Sequence, residues 1–192
     1  MTKENKIRKY YSEAFTYIKN SRYYIYISTL IFIFSAIFAF LYPDVFSIFD
    51  EELRKLVDKT RDMSVPGLIA FIFFNNLKIS FIAIVSGILF GIIPIIMVLA
   101  NGAVLGYVFA RIYELTGVGE FWRILPHGIF ELPAVFISIG LGIKLGMFIF
   151  SENLFKDIKR RFLLSMKVFL FVILPLLIIA SLIEGMFIFF YK

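Results

Sequence analysis

The stretch LPHGIFELPAVF, residues 125–136, sets the chain's single histidine, His127, four positions before Glu131 in otherwise apolar surroundings. On a helix that spacing brings imidazole and carboxyl onto one face. Pro126 suits the first helical position, where its missing N–H has no intrahelical acceptor to serve. Burial and neighbouring charge act on such a pair together, which is one way to build a proton-sensitive group. Asn75, Asn76, Lys78, Arg111 and Glu184 are further polar or ionisable groups set in apolar sequence. What is missing narrows the chemistry. There is no cysteine and only one histidine, whereas zinc takes three or four ligands from His, Cys and carboxylates. HExxH is absent, and no serine sits in a GxSxG setting. No catalytic residue, metal or cofactor is therefore assigned, and the chain reads as a non-enzyme.

The elements that must hold these groups are membrane helices. The chain is 60% hydrophobic, 18% charged and has a mean hydropathy of +0.89, against about 45–50% apolar and about 25% charged in soluble domains. Its first partner is the lipid bilayer. The net charge of +6 fits anchorage beside anionic headgroups rather than nucleic acid. The first apolar run, from residue 23, is long enough to cross about 30 Å of hydrocarbon and lacks a small-residue cleavage site, so it reads as a retained span.

Apolar runs predict an all-α bundle of five spans at 23–41, 79–100, 103–115, 126–150 and 168–191. The division within the nearly continuous apolar stretch 68–150 is placed at Asn101-Gly102, a turn dipeptide. That choice leaves a third span too short for a full crossing, hence broken or re-entrant. Irregular backbone at membrane depth is tolerated only where protein or a water-filled cavity covers it. Two regions are distinguished, a basic amphipathic segment 1–22 and a transmembrane domain 23–192 with amphipathic helices at 44–60 and 151–167. Basic residues concentrate in 1–22 and 151–167, which the positive-inside rule places in the cytoplasm. With five crossings the amino terminus is inside the cell membrane and the carboxyl terminus outside. The helix 44–60 then lies outside, either in the headgroup layer or as a docking face for a membrane or extracytoplasmic protein, with Leu53 and Leu56 as its contact residues.

Three GxxxG pairs, Gly87 and Gly91, Gly102 and Gly106, Gly142 and Gly146, each offer a close-approach face. Their expected use is packing within the chain, with a homodimer left open. A charge at mid-membrane costs about 2.5–3.5 kcal/mol on insertion scales. Asn75, Asn76, Lys78, Arg111, His127, Glu131 and Glu184 are therefore expected to converge in the outer half of the bundle, away from lipid.

FFNNLK, VLANGAVLG and LPHGIFELPA resemble, in order and spacing, the stage II sporulation protein M family of multi-span membrane proteins. The similarity covers roughly residues 68–190, and the PHGxxE core is its most specific part. The resemblance implies a family-like core at Asn75, Asn76, Asn101, Gly102, His127, Gly128 and Glu131. It implies no settled biochemical activity; the family's namesake in spore formers looks like a membrane organiser that localises wall-degrading partners. Sporulation itself does not carry over, because related chains occur in organisms that form no spores. Two functions follow as expectations. One is a scaffold that binds partner proteins; the other is a small ion- or proton-coupled transporter or channel that uses the polar cluster.

Overall fold

The structure is a computed structural model. It describes the backbone of residues 3–123 and 125–190, and the side-chain surroundings of these except residues 3, 4, 6, 120, 122–127, 129, 130 and 184–190. Every element among the described residues is helical. The order is α1 (Lys3–Lys19), α2 (Arg22–Leu41), α3 (Phe49–Arg61), α4 (Val65–Val85), α5 (Ile92–Thr116), α6 (Leu125–Gly146), α7 (Leu154–Val168) and α8 (Leu174–Phe190). A π-helical turn, Phe169–Ile173, links α7 to α8. Pro175 follows it, so the wider turn sits where a carbonyl loses its proline-side donor. Five segments are long and apolar enough to cross a membrane: Arg22–Leu41, Val65–Ile88, Ile92–Gly119, Glu131–Phe150 and Leu154–Ile183.

The third span is a complete crossing, and the division at Asn101-Gly102 is corrected. α5 runs unbroken for 25 residues, about 37 Å at 1.5 Å per residue, with Asn101 and Gly102 in its interior. The Asn101 amide donates back to the Met97 carbonyl at 2.7 Å, so the side chain is satisfied inside the helix. Gly102 lies where α2 crosses, and a Cβ there would meet the Phe32 carbonyl oxygen at 2.5 Å. The chain reverses earlier, through a 3-10 turn at Ser86–Ile88, with Phe90 and Gly91 at φ 57 and 72. Positive φ is ordinary for glycine and strained for phenylalanine. The second span accordingly begins at Val65, behind Ser64, whose side chain caps the Gly67 N–H.

α6 is the central helix. Over half of its span is buried, 56%, against 33% or less for the other four. Ala134 and Leu141 join Ile84, Val168, Ile173 and Leu177 in one apolar cluster. Val135, Ile139 and Ile143 join Phe32, Ala83 and Val98 in a second. All three glycine pairs are taken up inside the chain. Gly87 meets Gly142 of α6, Gly91 meets Ile143 and Gly146, and Gly102 and Gly106 seat against Phe32 and Ala36 of α2. Ser35 Oγ donates to the Leu99 carbonyl at 2.6 Å across the same α2–α5 seam.

α1 and α7 pack together at one end of the bundle, while α3 lies at the other. Lys144 of α6 ties the first end, donating to the Asn20 carbonyl and to Ser21 Oγ, each at 2.9 Å. Its ammonium also lies 4.2 Å from the centre of the Tyr17 ring. Arg161 of α7 donates to the Lys144 carbonyl at 2.7 Å. Glu13 accepts from Lys167, and that partnership holds its carboxyl below the usual range.

Candidate functional site

α4 is the element that sorts the polar residues, because its single apolar helix carries three of them at different angles. Asn76 and Ser80, four apart, lie on the buried face with Ala83 and Ile84. The Asn76 side chain faces the Glu131 carboxyl of α6. An amide can both donate and accept, so it can serve a carboxyl in either protonation state. Ser80 Oγ, one turn along, is fully buried and makes no hydrogen bond among the described residues. Two residues beyond Glu131, Pro133 sits inside α6 and removes the N–H that would serve the carbonyl of residue 129. The PHGIFE stretch thus lies in the first turns of α6, with the Glu131 carboxyl beside the Asn76 amide of α4.

The expected single cluster is corrected. Asn75 and Lys78 are exposed on the outside of α4, away from Asn76 and Glu131. With α4 beginning at Val65, Lys78 also falls near the middle of the Val65–Ile88 span rather than at its end. Arg111 belongs to a third group. Its Nε donates to the Tyr107 hydroxyl at 2.9 Å, one guanidinium nitrogen donates to Glu114 at 2.8 Å, and another lies 3.6 Å from Asp50 of α3. The Tyr107 hydroxyl in turn donates to Asp50 Oδ1 at 2.5 Å. His127 and Glu184 lie in α6 and α8, and their side chains fall outside the described residues. Among the described residues, the juxtaposition made within the predicted set is therefore Asn76 with Glu131.

Sequence reasoning missed Asp50, Tyr107 and Lys144 in these roles. Tyr107 and Arg111 are four apart on one helix, a legible spacing; their acidic partner 57 residues away in sequence is not. Together they mount α3. Phe49 packs edge-on against the Tyr107 ring at 6.0 Å, and Leu53 is half-buried. Leu56 and Val57 on the next turn are 45% and 59% exposed. Removing the mount should free this helix without unfolding the bundle. Asp50→Ala is expected to speed backbone amide exchange in α3 about tenfold, the worth of one lost hydrogen bond, with exchange in α5 and α6 unchanged. Hydrogen-exchange mass spectrometry reads both.

A sequence model of the family described as Stage II sporulation protein M matches residues 28–187. Two uncharacterized proteins of Methanocaldococcus jannaschii are similar to the chain. One is 26% identical over 185 residues, covering 88% of this chain and 82% of the relative. The other is 33% identical over 98 residues, covering 48% of this chain and 55% of the relative. No solved structure matches.

Proposed function

Because the chain belongs to the stage II sporulation protein M family, we propose that it is a non-enzymatic membrane scaffold that holds partner proteins through α3. The observation that carries this reading is the way α3 is presented. A helix of 13 residues is held at its first turn through Phe49 and Asp50 and at its last by Lys59, whose ammonium lies 4.8 Å from the centre of the Phe71 ring of α4, while Leu56 and Val57 stay uncovered beside Lys55 and Asp58. An apolar strip that the bundle does not bury, rimmed by charge, is the common anatomy of a protein-binding patch. In this reading α1 and α7 face the cytoplasm, since the segments that hold them, 1–22 and 151–167, carry six and five Lys or Arg while 42–66 carries four beside six acids, and α3 is presented outside.

Purification of tagged wild-type protein from native membranes is expected to recover a stoichiometric partner. The double change Leu53→Asp and Leu56→Asp is expected to release it while the bundle keeps its unfolding midpoint. Recovery of no stoichiometric partner, or its retention by the double variant, overturns the reading. The Asn76–Glu131 pair favours a second reading, a small proton- or ion-coupled transporter, because intramembrane ionisable groups often mark a pathway. Flux in proteoliposomes that disappears with Glu131→Gln in a folded protein would replace the scaffold by it.

A further inference from the structure

α4 turns two chemically different faces in opposite directions. Asn76, Ser80, Ala83 and Ile84 look into the bundle. Phe74, Lys78 and Ile82 look out of it, Phe74 and Ile82 being 63% and 39% exposed, while Phe81, 44% exposed, sits at the margin with its ring edge-on to Phe169 at 5.5 Å. At about 100° per residue Lys78 lies about half a turn from the centre of the buried face, so it points squarely away from the neighbouring helices. It stands 13 residues from Val65 and ten from Ile88, about 20 Å and 15 Å along the axis from the two ends of the span. A lysine near a helix end carries its ammonium to the headgroups on its methylene stem, but from this depth the stem falls short of both. Its Cα–Cβ bond also tilts toward the helix amino terminus, the farther end. Among the described residues Lys78 enters no ion pair. A cation left on the lipid face at mid-span is unfavourable in the isolated chain and favourable once a carboxylate meets it.

We propose that the Phe74–Lys78–Phe81 face of α4 docks a transmembrane helix of another protein that carries one Asp or Glu at mid-span, paired with Lys78. The aromatic side chains on either side supply packing for the incoming helix, and Asn75 lies on its flank. A second copy of this chain fits the face poorly. A symmetric pair about an axis along the membrane normal would bring two Lys78 ammonium groups to the same depth. The chain's own carboxyl in this region, Glu131, faces Asn76 on the opposite side of α4. The assignment rests on the scaffold reading and adds to it a partner class and a second contact, within the bilayer.

The test reconstitutes the full chain in lipid vesicles with dye-labelled synthetic single-span peptides of leucine and alanine, identical except for a central Glu, Gln or Lys. Energy transfer to the labelled protein reports binding. The Glu peptide is expected to bind about tenfold tighter than the Gln peptide, equivalent to about 1.4 kcal/mol, and the Lys peptide more weakly than either. Lys78→Met only makes the span more apolar, so it should insert and abolish the preference. Lys78→Glu should turn the preference toward the Lys peptide. Equal binding of the Glu and Gln peptides to wild-type protein overturns the proposal, as does a Glu preference that survives Lys78→Met. Energy transfer between wild-type copies that Lys78→Met abolishes overturns it in favour of a second copy. Failure in any of these ways leaves the α3 release assay as the separate judge of the scaffold reading.

Discussion

Alanine at Gly142 is expected to destabilise the bundle by about 2 kcal/mol, a large fraction of what holds a protein of this size together. Gly142 sits on α6 where two other spans press in. An added methyl would enter the shell of the Ala83 carbonyl of α4 and meet Pro94 of α5 at 2.8 Å. Neither neighbour is a flexible side-chain end that can rotate away, since one is helix backbone and the other a proline ring. Overpacking of this kind costs about 3 kcal/mol. The better helix propensity of alanine returns about 1 kcal/mol, and the steric loss wins. Gly119 provides the control, because a Cβ there meets nothing within 4 Å. Thermal unfolding in mild detergent should show a large fall in midpoint for Gly142→Ala and none for Gly119→Ala. Equal midpoints would mean that α4 and α6 do not approach as closely as the structure shows.

The second large effect is expected at Lys144. Its ammonium joins the α1–α2 junction to the end of α6 through Asn20 and Ser21, and lies over the ring of Tyr17. Lys144→Met keeps an apolar stem of similar length over that ring and removes both donors. Each charge-assisted hydrogen bond is worth about 1.5–3 kcal/mol where water is excluded. Lys144 is only half-buried, so the joint loss is set lower, at about 2 kcal/mol. That loss should fall on α1 alone, because α2 and α6 remain joined through Ser28, whose hydroxyl reaches the Phe136 carbonyl at 3.1 Å. Amide exchange across α1 should rise by more than tenfold and a protease should cut near Asn20, with α2 still protected. Lys144→Arg, which keeps donors at this position, should restore most of the protection.

The all-helical class and the first and last spans are legible from apolar run length. The first span was the clearest, because Pro43 and the charged stretch after it close the run. The stretch 68–150 was not legible in the same way, because a membrane reversal need not be polar. Asn-Gly carries the chemistry of a turn, yet Asn101 turns its amide onto Met97 and Gly102 yields space to α2. The true reversal lay in SGILFG, whose glycines read as a packing face. Gly87 does pack, on Gly142, while Gly91 supplies the positive φ. This displacement decided the polar map as well. Moving the start of α4 to Val65 carried Asn76 and Lys78 from the rim to mid-span, and the helical phase then set them on opposite faces. The Asp50–Tyr107–Arg111 mount had no local signature, since its acid lies on a separate helix far back in the chain.

The contacts of Gly87 and Gly91 with Gly142 and Gly146, beside the Lys144 and Arg161 ties, all gather at one end of the bundle. At the other end the helix tips are joined through α3 and the Gly117–Arg123 turn. Membranes differ in thickness by several ångströms, and embedded helices answer by tilting or by deforming the bilayer. Where the glycine contacts and the Lys144 and Arg161 ties gather, such tilting meets closely packed backbone. Hydrophobic mismatch is expected to be met less by tilting of α4 against α6, whose backbones touch at Gly87 and Gly142, than by deformation of the bilayer around them.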